Sequence, residues 1–399
     1  METTQELIAK SAKYVANTYA RFPIALVRGK GMRLWDSDGK EYLDFVSGIT
    51  VDVLGHCHPR MVEAIRAQAE TLIHISNLYH IEPQIRLAKL LCDHSFADRA
   101  FFCNSGAEAN EAAIKLARKY AKDHWSTDRF EIIVMRHSFH GRTLATVTAT
   151  GNEKYWHGFE PLMPGFKHVP YNDLTAVERA VDSHTCAVMV EPIQGEGGVN
   201  VPADTYLPGL RRLCDQAGIL LILDEVQTGI GRTGKLFAYQ HWGVEPDIMT
   251  LAKALAGGIP MGAMLAREQV ASSFVPGCHA STFGGTPFVS AVAHAVVSAI
   301  LDEDLPGNAA RVGKYFLDGL ASLKEKHPSI TKVRGNGLIL GMEVSVPGRT
   351  VVAGCMERGL LVLTAGDNVV RFVPPLIAGE ADVDRALGIL GDVLGGLRG

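Results

Sequence analysis

Short apolar stretches, each ending in polar or small residues, recur through the middle of the chain. They cover residues 99–103, 132–135, 186–190, 219–223 and 248–251. Stretches of four or five such residues are too short for a helix and are typical of strands that are buried on both faces. Helical patterns of apolar positions lie between them, as at residues 104–122 and 206–217. Alternation of strand and helix from about residue 99 to 265 predicts an α/β fold with a mostly parallel sheet between helices.

The two ends of the chain have a different pattern. A short helix at residues 5–18 precedes strands at 25–28, 32–36 and 41–45, and Asp38-Gly39 forms a tight turn. Long helices at 287–301 and 308–327 lead to strands near 338–344 and 360–363 and to a helix at 382–394. We expect a large domain at 51–285. Residues 286–399 then form a connecting helix and a smaller α+β domain, against which residues 1–50 pack.

Composition narrows the class of protein. The 399 residues are 47% hydrophobic and 21% charged, and a net charge of −4 gives no reason to expect a nucleic acid or membrane partner. Seven scattered cysteines without a CxxC pair indicate reduced thiols. The start has no apolar leader and no 18-residue apolar run occurs, so we expect a cytoplasmic protein. His56 and His58 have no third ligand at a suitable spacing, so no metal site is expected.

Two polar residues follow neighbouring apolar stretches in a way that suggests chemistry. Asp224 comes directly after residues 219–223, and ligands of open parallel sheets bind beyond the carboxyl ends of the strands. Lys253 follows residues 248–251 and is flanked by alanine and glycine. The pair fits pyridoxal phosphate, because a lysine amine forms a Schiff base with the aldehyde and an acid pairs with the ring nitrogen. Each residue alone could also be a helix-capping acid or a surface lysine.

A third element, residues 104–110 (NSGAEAN), joins a predicted strand to a predicted helix. Free backbone N–H groups and the positive end of the helix dipole meet at such a turn. Ser105, Gly106 and Ala107 could hold a phosphate there. The local signal is weak, because serine and glycine are also common helix caps.

The segments DEVQTGIGRTG (224–234) and TLAKALAGGIPMGA (250–263) resemble the class III aminotransferases. The similarity extends over nearly the whole chain, and further matching segments are FVSGITVDVLGHCHP, SNLYHIEPQ, FCNSGAEANEAAIKLAR, FHGRTLATVTATGNEKY, VEPIQGEGGV and LTAGDNVVRFVPPL. The resemblance implies the fold-type I architecture with a seven-stranded-type sheet, pyridoxal 5'-phosphate as cofactor, and a homodimer with shared active sites.

The resemblance also implies roles for single residues. Lys253 and Asp224 would be catalytic. The cofactor would be bound by Ser105, Gly106, Ala107, Phe139, Asp224, Val226, Gln227, Lys253 and, from the neighbouring subunit, Thr282. Substrates would be bound by Arg142, Glu196, Ser281 and Arg371. From the residues alone, Phe139 could equally be a core residue, Arg142 a solvated helix start and Arg371 an edge-strand residue.

The substrates implied by the resemblance are N2-acetyl-L-ornithine and 2-oxoglutarate, which place the reaction in arginine biosynthesis. Arg371 would take the carboxylate of 2-oxoglutarate, and Glu196 would pair with it when the amine donor enters. Ornithine, succinylornithine or 4-aminobutyrate as donor stay open, because such enzymes differ only in the pocket. An aminomutase or decarboxylase would not need Arg371. A non-enzymatic scaffold would have lost Lys253 or Asp224.

Overall fold

The computed structural model describes residues 2–125 and 127–397. Its strands are β1 Leu26–Lys30, β2 Arg33–Asp36, β3 Glu41–Asp44, β4 Arg99–Cys103, β5 Glu131–Met135, β6 Phe166–Val169, β7 Thr185–Val190, β8 Leu220–Asp224, β9 Ile248–Leu251, β10 Gly262–Ala266, β11 Ile330–Asn336, β12 Ile339–Val344, β13 Leu360–Leu361, β14 Leu363–Thr364 and β15 Val369–Phe372. Its helices are α1 Thr4–Tyr14, α2 Ser47–Thr50, α3 Pro59–Thr71, α4 Glu82–Asp93, α5 Gly106–His124, α6 Leu144–Ala149, α7 Leu174–Ala180, α8 Tyr206–Ala217, α9 Glu268–Ala271, α10 Pro287–Asp302, α11 Leu305–Lys326, α12 Gly348–Glu357 and α13 Glu380–Gly396.

A seven-stranded sheet forms the centre of the molecule, in the order β4-β10-β9-β8-β7-β5-β6. β10 pairs antiparallel with both of its neighbours, and β9, β8, β7, β5 and β6 pair in parallel. Every residue of β7, β8 and β9 is buried, which is why these strands are continuous apolar stretches in the sequence. The predicted α/β fold with a mostly parallel sheet is confirmed.

The two ends of the chain meet in smaller sheets. One has the order β1-β2-β3-β13 and the other β11-β12-β15-β14. β13 lies parallel to β3, with Leu360 opposite Leu43, so a C-terminal strand completes the N-terminal sheet. This pairing supports the division at residues 50 and 285, which stays a prediction.

Several boundaries and two strands of the large sheet differ from the sequence prediction. β6 was not predicted because its four residues, FKHV, place two polar side chains between two apolar ones and are mostly half-buried. β10 follows a glycine-containing loop and contains two alanines and a glycine, so it lacks the branched residues that mark strands. Helix α11 begins at Leu305, before its apolar periodicity, because Asp304 caps it by accepting a hydrogen bond from the Gly307 N–H.

One hydrophobic core joins the large sheet to the C-terminal elements, with Leu221, Val292, Phe316 and Phe372 all fully buried in it. Helix α10 packs on α3 and α4, and α11 packs on β11 and α13. In the described part of the chain, no helix has the length and apolar character needed to cross a membrane.

Two helix-interior glycines allow the packing to be tested. A Cβ added at Gly313 in α11 would lie 2.0 Å from the Gly337 carbonyl oxygen, whereas a Cβ at Gly388 in α13 would meet nothing within 4 Å. We predict that Gly313→Ala lowers the free energy of unfolding by about 1–3 kcal/mol through overpacking. Gly388→Ala should raise it by about 0.5–1 kcal/mol, because alanine loses less backbone freedom on folding. Chemical denaturation of both variants measures this, and shifts of the same sign would contradict the packing.

Candidate active site

The carboxyl ends of the central strands open into a cavity of about 440 Å³. Most of the residues predicted from the sequence line this cavity, namely Ser105, Gly106, Ala107, Phe139, Arg142, Asp224, Val226, Gln227 and Lys253. These residues come from four separate segments of the chain. The strand order therefore brings them together where ligands of parallel sheets usually bind.

The N-terminus of α5 forms one wall of the cavity. Ser105 is the N-cap residue, and its hydroxyl accepts a hydrogen bond from the Glu108 N–H at 3.2 Å. The next N–H groups of a helix have no partner inside it, and they point along the helix dipole at the cavity. Gly106 is required by close packing, because a Cβ there would lie 2.8 Å from a methyl group of Val226. This wall has the chemistry of a phosphate site.

Asp224 ends β8 with a buried carboxylate that is surrounded by donors. Oδ2 accepts hydrogen bonds from Asn110 Nδ2 at 2.8 Å and from His140 Nδ1 at 2.7 Å. Oδ1 accepts one from the Val226 N–H at 3.0 Å. Thr250 Oγ1 donates to Asn110 Oδ1 at 2.7 Å and so fixes the orientation of the Asn110 amide. The carboxylate is therefore held in one position by α5, β9 and the loop after β5.

His140 is the basic partner of this carboxylate. Burial of the imidazole works against protonation, but the hydrogen bond to Asp224 and the negative charges of Asp224 and Glu191 together outweigh it and raise the pKa of His140. The imidazole thus keeps its proton to higher pH than an ordinary histidine. The Asp224 carboxylate, held by these donors, is the group that would pair with the ring nitrogen of a pyridine cofactor.

Lys253 follows β9 and faces the same cavity. Its φ of +47° lies in the left-handed region, a conformation that clusters at functional sites when it occurs outside glycine. Burial lowers the pKa of its amine to about 8, while the Glu196 carboxylate opposes this shift and the Arg371 guanidinium adds to it. A substantial neutral fraction near neutral pH makes this amine a nucleophile and a base.

An ion pair lies at the edge of the cavity, between residues far apart in the sequence. Arg371 Nη1 lies 2.7 Å from Glu196 Oε1, and the same nitrogen donates to Gln227 Oε1 at 3.0 Å. Gln227 Nε2 donates to Glu196 Oε1 at 3.1 Å, so the three side chains form a closed set of contacts. Burial would raise the pKa of Glu196, but Arg371 and Lys253 lower it. Glu196 is therefore ionised and holds the guanidinium in place.

Part of the Arg371 guanidinium remains available. The side chain is fully buried, and neither Nε nor Nη2 has a hydrogen-bond partner among residues 2–125 and 127–397. Two buried donors without an acceptor cost free energy unless a ligand satisfies them. These two nitrogens share one edge of the guanidinium, which suits a carboxylate bound through both oxygens.

Phe139 and Arg142 line the cavity from the loop after β5. The Phe139 N–H donates to Glu191 Oε1 at 2.9 Å, and the Gly195 N–H donates to Glu191 Oε2 at 3.2 Å. Burial raises the pKa of Glu191 to about 7. Arg142 is exposed, and its guanidinium lies 3.9 Å from the centre of the Tyr155 ring. Phe139 thus presents a fixed aromatic ring to the cavity and Arg142 a cation at its rim.

Ser281 and Thr282 do not line the cavity in a single chain. Ser281 Oγ accepts a hydrogen bond from Asn104 Nδ2 at 3.2 Å, and Asn104 itself lines the cavity. Thr282 is exposed on the surface next to it. The structure therefore brings Ser281 to the edge of the site and leaves Thr282 outside the site of its own chain.

The residues of the cavity fit pyridoxal phosphate. The helix N-terminus suits the phosphate, the Phe139 ring suits a flat heterocycle, and the Asp224 carboxylate suits its ring nitrogen. The amine of Lys253 suits the aldehyde. The small residues around these groups, such as Gly106, leave the space that a planar ligand needs.

Comparison with known proteins agrees with this chemistry. The family model for aminotransferase class III matches residues 14–394. The chain belongs to this family. A curated relative named acetylornithine aminotransferase, from Caldanaerobacter subterraneus subsp. tengcongensis, is 53% identical over 98% of this chain and 100% of its own.

Solved structures of class III aminotransferases share the whole fold. The ornithine aminotransferase of Toxoplasma gondii, whose structure is described with partial occupancy of pyridoxal phosphate at the active site, superposes with a TM-score of 0.95. It is 36% identical, and the match covers 99% of this chain and 95% of the other. The acetylornithine aminotransferase of Elizabethkingia anophelis gives a TM-score of 0.90 at 34% identity, with full coverage of both chains. This chain is an aminotransferase that uses pyridoxal phosphate.

Four residues around the site of this class III aminotransferase were not predicted from the sequence. Asn110, His140 and Thr250 support Asp224, and Glu191 anchors the loop that carries Phe139. All four lie in segments already matched to the family. The sequence feature that could have indicated such residues is Asp224, because a carboxylate at the end of a buried strand needs hydrogen-bond donors from neighbouring elements.

The opposite charges near Lys253 predict how its pKa responds to substitution. Glu196→Gln removes an anion and should lower the pKa of Lys253 further below about 8, whereas Arg371→Met removes a cation and should raise it. The measurement is the pH midpoint of the rate at which cofactor-free protein takes up pyridoxal phosphate, followed by absorbance. A wild-type midpoint near that of a free lysine, or shifts of equal sign in the two variants, would contradict the described electrostatics.

Proposed function

We propose that this aminotransferase transfers the δ-amino group of N2-acetyl-L-ornithine to 2-oxoglutarate. The products are N-acetyl-L-glutamate 5-semialdehyde and L-glutamate, as in arginine biosynthesis. The observation that carries the proposal is the buried Arg371 guanidinium, with one edge paired to Glu196 and the other edge free. The name of the relative that is about half identical over the full chain length supports acetylornithine as donor.

Arg371 serves as the receptor for the α-carboxylate of 2-oxoglutarate. Its Nε and Nη2 donate to the two carboxylate oxygens, which satisfies the two buried donors. When the amine donor enters instead, Glu196 neutralises the guanidinium through their 2.7 Å contact. One site thus accepts an α-amino acid product and an ω-amine donor in turn.

Arg142 and Ser281 hold the far end of the amine donor. The exposed guanidinium of Arg142 at the rim of the cavity pairs with the α-carboxylate of acetylornithine, which lies at the end of the molecule remote from the δ-amine. Ser281, fixed by Asn104, contacts the same end. The donor therefore lies with its δ-amine towards Lys253.

Lys253 moves the proton in both half-reactions. Its amine, with a pKa lowered to about 8, would be the base that takes the proton from the substrate carbon and holds it for return. Pyridoxal phosphate, when bound, supplies the aldehyde that accepts the amino group and the ring that withdraws electrons. Asp224 would pair with the ring nitrogen and keep it protonated, and Gln227 would contact the phenolic oxygen. Ser105, Gly106 and Ala107 would hold the phosphate, and Val226, which also lines the cavity, would contact the cofactor.

We also propose a cytoplasmic homodimer with shared active sites. Thr282 of one subunit reaches the phosphate bound by the other, which accounts for its position outside the cavity of its own chain. The surface around it supports a covered interface: Phe283 is 62% exposed, Leu78 81% and Tyr79 68%. Asn77 joins these segments by donating to the Ser281 and Gly284 carbonyl oxygens. Exposed apolar clusters of this kind mark protein contacts.

Ornithine is the second candidate donor. The likeness to the Toxoplasma gondii ornithine aminotransferase over the full fold favours it. Succinylornithine and 4-aminobutyrate differ from acetylornithine only at the end remote from the reacting amine. A change of donor would leave the cofactor residues as assigned and alter only the groups at the rim.

Variants of Lys253 and Arg371 test the proposed function. Lys253→Ala should reduce steady-state turnover by a factor of about 10³ or more, because proton transfer and nucleophilic exchange are both lost. The exposed Lys235 provides the matched control, and Lys235→Ala should leave turnover unchanged. Retained activity in Lys253→Ala would overturn the proton-transfer role.

For Arg371→Ala, the KM for 2-oxoglutarate should rise about 30-fold, as the loss of roughly 2 kcal/mol from a charge-assisted pair implies. The KM for acetylornithine should change much less. Equal increases for both substrates would refute the role of Arg371 as the 2-oxoglutarate receptor.

A further inference from the structure

Arg232 is a fully buried arginine that the proposed mechanism does not use. It lies in the loop after β8, and Nη1 donates to the carbonyl oxygens of Leu338, at 2.9 Å, and Pro374. Among the residues that the structure describes, it forms no ion pair within 4 Å. Burial lowers the pKa of its guanidinium to about 9, and the charge of Asp44 opposes that shift. A buried charge without a paired acid is costly, so its hydrogen bonds call for an explanation.

Both carbonyl groups lie at one end of the ladder that carries Arg371. In the antiparallel pairing of β12 with β15, Leu340 is opposite Phe372 and Gly341 is opposite Arg371. The same register places Leu338 opposite Pro374, just beyond the last paired residues. Proline has no N–H, so the ladder cannot continue through Pro374. The guanidinium nitrogen supplies the hydrogens for the two carbonyl groups and closes the end of the ladder.

The backbone of the loop after β8 also bonds to this end of the β12–β15 ladder. The Leu338 N–H donates to the Arg232 carbonyl oxygen at 2.9 Å, so the two residues bond to each other in both directions. Gly337, with a φ of +55°, approaches so closely that a Cβ would lie 2.4 Å from the Thr233 carbonyl carbon. No side chain fits between the loop and the ladder end.

This contact joins two parts of the candidate active site. The loop that contains Arg232 follows Asp224 and includes Gln227, and both of these residues line the cavity. The ladder carries Arg371 three residues before Pro374. Ser47 also holds the residue after β15, because its hydroxyl donates to the Val373 carbonyl oxygen at 2.6 Å. Arg232 is therefore a charged contact between the loop that carries Gln227 and the pair of strands that carries Arg371.

We infer that Arg232 is a positioning residue for Arg371: by closing the β12–β15 ladder against the loop after β8, it sets the carboxylate receptor at its working distance. The inference rests on the proposed role of Arg371. It predicts that Arg232 affects binding of 2-oxoglutarate although it touches no substrate.

The test uses the holoenzyme with Arg232→Met, and Arg232→Gln as a second variant in case the first does not fold. The KM for 2-oxoglutarate should rise about tenfold, as the loss of charge-assisted hydrogen bonds implies, and the KM for acetylornithine should change less than about threefold. Arg232→Lys retains a charged donor and should restore part of the loss. Arg211→Met is the matched control, because Arg211 is a half-buried arginine paired with Asp247, remote from β15 in the chain topology.

A double-mutant cycle separates positioning from general stability. If Arg232 acts through Arg371, adding Arg232→Met to Arg371→Ala should change the KM for 2-oxoglutarate less than about twofold. Three outcomes would overturn the inference about Arg232 and leave the role of Arg371 intact. The KM increases of the two single variants could multiply in the double variant, or Arg211→Met could raise the KM for 2-oxoglutarate as much as Arg232→Met does. The third is an unchanged KM in Arg232→Met while Arg371→Ala raises it. An unchanged KM in Arg371→Ala would overturn the receptor role and with it this inference.

Discussion

The buried carboxylate of Asp224 constrains the whole centre of the molecule. An ionised carboxylate removed from water must be matched by donors, and here they come from α5, from β9 through Thr250, and from the loop after β5. Each of these elements also contributes a second group to the cavity. Helix α5 contributes its N-terminus, β9 is followed by Lys253, and the loop after β5 carries the Phe139 ring. Satisfying one charge therefore assembles the cofactor site of a class III aminotransferase.

A second set of charges connects this site to the C-terminal part of the chain. Glu196, Gln227 and Arg371 contact one another, and both charged members influence the amine of Lys253. Because the two charges act on the amine in opposite directions, its pKa depends on the state of their pair. A substrate carboxylate on the free edge of Arg371, formed by Nε and Nη2, would add a second anion beside this pair and shift that balance. Substrate binding and the basicity of Lys253 are thus coupled through ordinary electrostatics.

The sequence allowed the central strands and most of the cavity to be predicted because their physical signals are local. β8 and β9 are continuous apolar stretches, and the polar residues after them must lie at the same edge of a parallel sheet. β6 and β10 were not predicted, because half-burial and small residues remove that signal. The supporting roles of His140 and Asn110 depend on which loops meet in space, and no local pattern reports this. The role of Arg232 is the least visible in the sequence, because its side chain bonds to the end of a strand pair more than 100 residues further along the chain.

A single half-reaction shows whether this aminotransferase uses acetylornithine as its amine donor. Holoenzyme would be mixed, without any oxoacid, with N2-acetylornithine, succinylornithine, ornithine or 4-aminobutyrate, and the cofactor absorbance followed over time. We expect rapid conversion by acetylornithine and slow conversion by ornithine and 4-aminobutyrate. Faster conversion by ornithine or 4-aminobutyrate would contradict the donor assignment while leaving the cofactor residues in place.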